Sequence, residues 1–126
     1  MMPTYIAYAS EISSAEDWYY LELCENYEGF RILLQNSHGQ VVRVSFESVY
    51  LYMRSDEGKR FCSLEHLPKV ERSYIYEVQH SDLLAWFHKE NLNLQFKDVR
   101  IFHWAIVTPH EWVDVLSVDM PLIERL

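Results

Sequence analysis

Three residues near the carboxyl end, His103, His110 and Asp114, have the types and spacing that could do acid–base or metal chemistry. Imidazole and carboxylate groups exchange protons near neutral pH and bind metal ions. His103 and Asp114 lie on either side of a turn at Pro109, so a hairpin would bring the three side chains together. The pattern allows a small metal-binding protein or a hydrolase. It equally allows a core position for His103, with one hydrogen-bond partner, and a turn position for His110.

No known catalytic or cofactor motif accompanies these residues. The zinc-protease pattern HExxH, the nucleophile pattern GxSxG and the phosphate-binding patterns GxGxxG and GxxxxGK[ST] are all absent. The chain has only three glycines, and backbone amides cannot approach a phosphate closely without small residues. Cys24 and Cys62 lack the CxxC spacing of metal or redox sites. We therefore expect no metal, no cofactor and no enzymatic activity.

The charge balance suits a basic protein as the partner, and it equally allows a net charge that only keeps the protein soluble. Nineteen acidic residues stand against eleven basic ones, which gives a net charge of −8 with histidines neutral. Such a chain repels nucleic acid and anionic membranes, because both are bound mainly through Lys and Arg. A basic protein would be attracted, and its association rate raised. The acidic residues are concentrated at the start, since Glu11 to Glu28 contains six carboxylates and no Lys or Arg.

Aromatic residues accompany this acidic segment. The chain contains nine Tyr, six Phe and four Trp, a composition that suits an amphipathic binding surface as well as a packed sheet. A second acidic pair stands before Gly58, and the neighbouring Lys59 and Arg60 also allow a solvated, ion-paired turn. We predict partner contacts at Glu22, Glu25, Tyr27, Glu28, Asp56 and Glu57.

The hydrophobic pattern predicts mainly strands. Alternating apolar residues over 18–24, 30–35 and 41–44, with a Gly-containing turn, indicate a three-stranded antiparallel meander spanning 18–45. Further strands are predicted over 74–78, 101–107 and 112–117. Residues 61–72 read as a loop around Pro68, and the tail after Asp119 shows no clear pattern.

Two helices are predicted from a different spacing. Phe46, Val49, Tyr50 and Met53 recur at helical intervals after Ser45, a residue type that caps helices. A second helix opens at Ser81–Asp82, ends near Asn91 and has Leu83, Leu84 and Phe87 on its inner face. The sum is a single α+β domain over residues 1–126, with a mostly antiparallel sheet of about six strands and two helices packed against it.

The chain shows no membrane-directed segment. No uncharged apolar run approaches the roughly 18–20 residues that span a bilayer. The first residues carry no positive charge and no long apolar stretch, so a secretory signal is not expected. With only two cysteines, the chain fits a reduced, cytoplasmic setting.

Several motifs, in their order along the chain, resemble one group of small bacterial proteins. The motifs are YLYMRSDEGxR at 50–60, SxxLxWFxxE at 81–90, HWxIxTP at 103–109 and DVLS at 114–117, followed by Pro121. The resemblance covers about residues 45–123. Proteins of this group are encoded beside polymorphic toxin or contact-dependent inhibition genes and are taken to be immunity proteins. The resemblance implies an inhibitor that occludes the active surface of a cognate, often basic, toxin domain. It assigns no catalytic residues to this chain.

Three hypotheses stay open at this point. The first is an immunity protein that binds a basic toxin domain without catalysis. The second is a metal-binding protein or hydrolase that uses His103, His110 and Asp114. The third is a structural protein whose aromatic residues form a homodimer interface, since the sequence leaves the oligomeric state undetermined.

Overall fold

The computed structural model describes residues 2–8, 12, 17–69, 73–92 and 99–126. Within them the chain forms nine strands, two α-helices and one 3₁₀ turn at Glu57–Lys59. The strands are β1 Thr4–Ala7, β2 Trp18–Asn26, β3 Gly29–Asn36, β4 Val41–Phe46, β5 Val49–Ser55, β6 Ile75–Gln79, β7 Phe102–Thr108, β8 Glu111–Ser117 and β9 Leu122–Arg125. The helices are α1 Phe61–Leu64 and α2 Asp82–Glu90.

The strands form two antiparallel sheets. The five-stranded sheet has the order β1-β6-β7-β8-β5, and the four-stranded sheet has the order β2-β3-β4-β9. Every strand pair is antiparallel. The edges of the four-stranded sheet are β2 and β9, and those of the five-stranded sheet are β1 and β5. Each sheet is built on three consecutive strands, β6-β7-β8 in one and β2-β3-β4 in the other, with β1, β5 and β9 added at the outside. Helix α2 lies in the connection between β6 and β7.

The two sheets pack face to face around one apolar core. Residues on β3 and β4 alternate between buried and half-buried, so that every second side chain points into the sandwich. The buried set from both sheets includes Trp18, Phe30, Ile32, Leu34, Val42, Val44, Phe46, Trp104, Ile106, Val113 and Val115. Each such side chain stabilises the fold by about 1.5–3 kcal/mol when it leaves water, before chain entropy is counted.

The opposite face of the five-stranded sheet is also covered. A second cluster there contains Tyr5, Leu67, Tyr76, Val78, Ala105, Val107 and Trp112, with Leu64 of α1 packed against it. Helix α2 contacts β7 on this side as well. Because both faces of the sheet are covered, six consecutive residues of β7 and six of β8 are buried, in contrast to the alternating burial of β3 and β4.

The structure broadly fits the predicted α+β class, but it contains nine strands, where about six were predicted. The meander over 18–45 is confirmed as β2-β3-β4, and the other three predicted strands appear as β6, β7 and β8. The predicted second helix is α2, with the Ser81 hydroxyl as its N-cap. Its inner residues Leu83, Leu84 and Phe87 are half-buried, and none is fully buried. The short strands β1 and β9 were not predicted. Helix α1 lies within residues 61–72, which were predicted as a loop.

The helix predicted over Phe46–Met53 is wrong, because Phe46 ends β4 and the residues from Val49 onward form the edge strand β5. A β-bulge between Val49 and Leu51 interrupts the alternation of its side chains. As a result Val49 packs against the sandwich core and Tyr52, three residues later, contacts Phe30 of that core at the exposed edge, whereas Tyr50 stacks on Phe87 of the helical layer. The bulge therefore imitates the three-residue spacing of a helix.

The helices of the described ranges are too short and too polar to cross a bilayer.

Candidate functional site

The hairpin of β7 and β8 brings His103 and Asp114 into direct contact. Ala105 pairs with Asp114 across the two strands, and His103 points to the same face of the sheet as Ala105. His103 Nε2 lies 2.7 Å from Asp114 Oδ1, and both side chains are buried. A carboxylate only accepts hydrogen bonds, so the ring donates its Nε2–H to Asp114. In the neutral ring, Nδ1 is therefore left as an acceptor.

Ser81 completes a chain of three side chains. Its Oγ lies 2.6 Å from His103 Nδ1 and accepts a second hydrogen bond, of 2.9 Å, from the backbone N–H of Leu84. The hydroxyl proton is thus directed to the imidazole. The sequence predicted Ser81 only as a helix cap, because no motif links it to His103.

Arg60 and Trp112 hold the carboxylate from its other sides. Arg60 Nη1 lies 2.9 Å from Asp114 Oδ2, and Trp112 Nε1 donates to Asp114 Oδ1 at 3.2 Å. The guanidinium lies 4.5 Å from the centre of the Trp112 ring and also bonds Ser55 and Ser63. Burial by itself would raise the pKa of Asp114, but the hydrogen bonds and charges of His103 and Arg60 outweigh it and hold that pKa below its usual value.

A cavity of about 190 Å³ opens beside this network, between the five-stranded sheet and the helical layer. Ser81, His103, Asp114 and Arg60 line it, together with Tyr5 and others. Burial raises the pKa of Tyr5, although a hydrogen bond with Ser63 acts in the opposite direction. The cavity is thus lined by the polar groups of the network and by apolar residues such as Val78 and Leu83. We call Arg60, Ser81, His103, Trp112 and Asp114 the buried network.

His110 does not join the buried network. It is exposed in the turn between β7 and β8, with a left-handed φ of 72°. It lines a separate concavity with Arg54, Ser55, Asp56 and Glu111. The structure therefore brings together two of the three residues that the sequence suggested for acid–base or metal chemistry. Across the described part of the chain, no group of three His, Cys, Asp or Glu side chains is arranged to hold a metal ion.

The six predicted contact residues lie elsewhere, along one side of the sandwich. Side chains of the edge strands β2 and β5 meet there, since the guanidinium of Arg54 lies 5.2 Å from the Tyr20 ring centre. The Tyr52 ring of β5 lies 4.9 Å from that of Phe30 on β3. Residues 18–28 and 49–57 make up this side, which we call the β2–β5 flank.

Each predicted residue has a definite place on the flank. Glu22 and Glu25 are exposed on β2, and Tyr27 and Glu28 are exposed in the β2–β3 turn. The other two follow β5, where Asp56 caps the 3₁₀ turn by accepting a hydrogen bond from Gly58 N. Because Tyr20 contacts Arg54, the nearby Asp56 and Glu57 lie close to the start of β2. Tyr27 follows the other end of β2, about 20 Å away along the strand.

Large apolar and aromatic side chains are exposed on the same flank. Tyr27 is 95% exposed, and Tyr19, Leu21 and Tyr52 are between 40% and 47% exposed. Tyr50 and Met53 of β5 are exposed to a similar extent, but they lie toward the helical layer, where Tyr50 stacks on Phe87 and Met53 lines the cavity of about 190 Å³. Glu22, Glu25 and Glu57 make no ion pair with any residue that the structure describes. Unpaired carboxylates beside exposed aromatic rings are features of a protein-binding surface.

A groove of about 810 Å³ begins at the far end of the flank. Tyr27 and Glu28 line it, and so do the exposed apolar residues Met120 and Leu122. Four carboxylates and two guanidiniums border the groove: Glu28, Glu47, Asp119, Glu124, Arg31 and Arg43. The groove extends the acidic, aromatic character of the flank around the end of the four-stranded sheet.

Comparison with known proteins adds no relative: no family model matches the chain, and neither a curated protein nor a solved structure matches it significantly.

Proposed function

We propose that this chain is an immunity-type inhibitor that binds a basic toxin domain through the β2–β5 flank and covers its active surface. The observation that carries this proposal is the exposure of Tyr and Leu side chains beside unpaired carboxylates on two edge strands, whose side chains meet at Tyr20 and Arg54. A folded chain that keeps so much aromatic surface in water on one side is typical of proteins that bury that surface in a complex.

The two kinds of side chain have different roles in such a complex. Tyrosine supplies a large contact area at low conformational cost, and Tyr residues are frequent among those that dominate binding energy. Glu22 and Glu25 lie between the two ends of the flank and attract a basic partner from a distance. The aromatic side chains would therefore set the dissociation rate, and the carboxylates the association rate.

The sequence resemblance supports the same function from a separate direction. It covers residues 45–123 and implies a protein that neutralises a toxin by occlusion. Inhibition by occlusion needs no catalytic step by this chain. It also requires no metal or cofactor.

Co-purification with the neighbouring gene products tests the proposal directly. Tagged protein is expressed in its native host, or together with the adjacent genes, and bound proteins are identified by mass spectrometry. We expect a stoichiometric partner that ends in a basic toxin-like domain. Absence of any partner, with the adjacent genes shown to be expressed, would contradict the proposal. Concentration-dependent sedimentation of the chain alone would instead favour a homodimer through the flank.

Charge reversal then tests the surface. With the captured partner, the double variant Glu22→Lys/Glu25→Lys should slow association about tenfold or more at low salt, because two steering charges change sign. The matched control is Glu65→Lys/Glu90→Lys, which makes the same charge change at exposed positions of the helical layer. Equal association rates for the two double variants would show that the partner binds outside the flank.

A further inference from the structure

The buried network contains the parts of an acyl-transfer centre, and neither partner binding nor the flank makes use of them. We propose that Ser81 is a nucleophile that accepts a small acyl group from an activated ester, with His103 as its general base and Asp114 as the residue that positions the imidazole. This activity is separate from inhibition by the flank and needs no partner protein.

The hydrogen bonds give each side chain a defined role. Ser81 Oγ lies 2.6 Å from His103 Nδ1, within the range in which a base removes a hydroxyl proton. Asp114 lies 2.7 Å from Nε2, so it holds Nδ1 as the acceptor and stabilises the imidazolium that forms. In the serine proteases the two ring nitrogens have the opposite assignment. Proton transfer depends on the hydrogen bond and not on which ring nitrogen makes it.

The amino end of α2 favours negative charge on Ser81 Oγ and on a substrate oxygen. Ser81 Oγ already accepts the N–H of Leu84 at 2.9 Å, and a nine-residue helix places partial positive charge at this end. In the described ranges, no hydrogen bond engages the N–H groups of Asp82 and Leu83. These two groups would therefore be available to an oxyanion, as backbone amides are in other acyl-transfer sites.

The chemistry balances without any added oxidant or metal. Ser81 Oγ attacks the carbonyl carbon as its proton passes to His103 Nδ1, which forms a tetrahedral intermediate. The ester C–O bond then breaks, and the leaving alcohol takes that proton, so that acyl-Ser81 and neutral imidazole remain. Water repeats the sequence with His103 as base and releases the carboxylic acid and free Ser81.

The cavity limits the substrate to a small acyl group. Its volume of about 190 Å³ is lined by Ser81, His103 and Asp114, so the nucleophile and base both reach it. An acetyl ester fits that space, whereas a folded protein or a peptide chain does not.

Acetylation by p-nitrophenyl acetate tests the proposal. The purified chain is incubated with the ester, release of p-nitrophenolate is followed, and the acetylated residue is located by peptide mass spectrometry. We expect one acetyl group on Ser81 and a burst of p-nitrophenolate. His103→Asn should reduce acetylation of Ser81 about a hundredfold, because the general base is lost.

Two serine variants separate reactivity from folding. Ser81→Asn removes the nucleophile and retains a residue that caps helices well, so it should fold and lose the acetylated peptide. Ser37→Ala removes an exposed hydroxyl in the β3–β4 turn and should react as the wild type does. Acetyl groups found only on surface lysines and tyrosines of the folded wild-type chain would overturn the proposal.

Discussion

The buried network and the β2–β5 flank are both rich in charged and aromatic residues, but charged groups are buried and partnered in the network and exposed to solvent on the flank. In the network, Asp114 is almost inaccessible and accepts hydrogen bonds from His103, Arg60 and Trp112. On the flank, Glu22 and Glu25 are exposed and have no ion partner among the described residues. Charge inside the fold must be partnered to be tolerated, whereas charge on the surface stays available to a second molecule.

We therefore expect the buried network to govern the stability of the fold and the flank to govern binding. Removing one member of a buried ion pair leaves the other charge buried without a partner, which lowers the stability of the fold. Removing an exposed carboxylate leaves no such buried charge, because water solvates the groups around it. Variants that change both properties together, or neither, would contradict this division.

Asp114→Ala should have the largest effect on stability. It leaves Arg60 and the His103 ring buried without their carboxylate, which costs about 3–5 kcal/mol. Urea unfolding followed by tryptophan fluorescence measures the loss, and Glu90→Ala serves as an exposed carboxylate control. A loss below about 1 kcal/mol would mean that water reaches the network and replaces the carboxylate.

Acidification should weaken the fold through the same residue. The pKa of Asp114 in the folded chain is lower than the ordinary value of 3.8, so the unfolded chain binds more protons in this range. Its contribution to stability is complete above the unfolded pKa and is lost as the pH falls through the folded pKa. Urea midpoints measured from about pH 5 down to about pH 2 should therefore fall more steeply for the wild type than for Asp114→Asn. Parallel curves would show that Asp114 has the same pKa in both states.

Ser81→Ala should cost an intermediate amount of stability. The substitution removes the N-cap of α2, a loss of about 1 kcal/mol, and also removes the hydrogen bond to His103 Nδ1. Thermal unfolding compares it with Ser37→Ala, which should leave the midpoint unchanged. An unchanged midpoint for Ser81→Ala would mean that neither hydrogen bond contributes to stability.

The flank variant should have the smallest effect on stability. Glu22→Lys/Glu25→Lys changes two exposed side chains on an edge strand, and surface substitutions of this kind stay within about 0.5 kcal/mol each. The urea midpoint should match that of the Glu65→Lys/Glu90→Lys control. A clear loss of stability would show that these carboxylates have structural partners, and slower association could not then be assigned to steering alone.

Sequence reasoning succeeded where neighbours in the chain are also neighbours in the sheet. Alternation and turn residues predicted the β2-β3-β4 meander and the β7–β8 hairpin. That hairpin was sufficient to expect contact between His103 and Asp114. The same reasoning grouped His110 with His103 and Asp114. The structure places His110 in the exposed turn, away from those two side chains.

Sequence reasoning was incomplete wherever a distant segment determines the outcome. Arg60 reaches Asp114, and Ser81 reaches His103, only because α1 and α2 pack on the same sheet face, and no local spacing encodes that packing. The helix predicted at Phe46–Met53 was wrong because a bulge at the edge of the sheet imitates helical spacing.

By itself, the sequence determined the acidic charge, the strand-rich composition and the hairpins, since these depend on residue types and on contacts between adjacent segments. Only the tertiary structure decided that side chains of β2 and β5 meet, and that a serine, a histidine, a carboxylate and a guanidinium meet beneath the helical layer. The physical reason is that the free energy of packing two sheets and two helices depends on contacts between residues far apart in the chain.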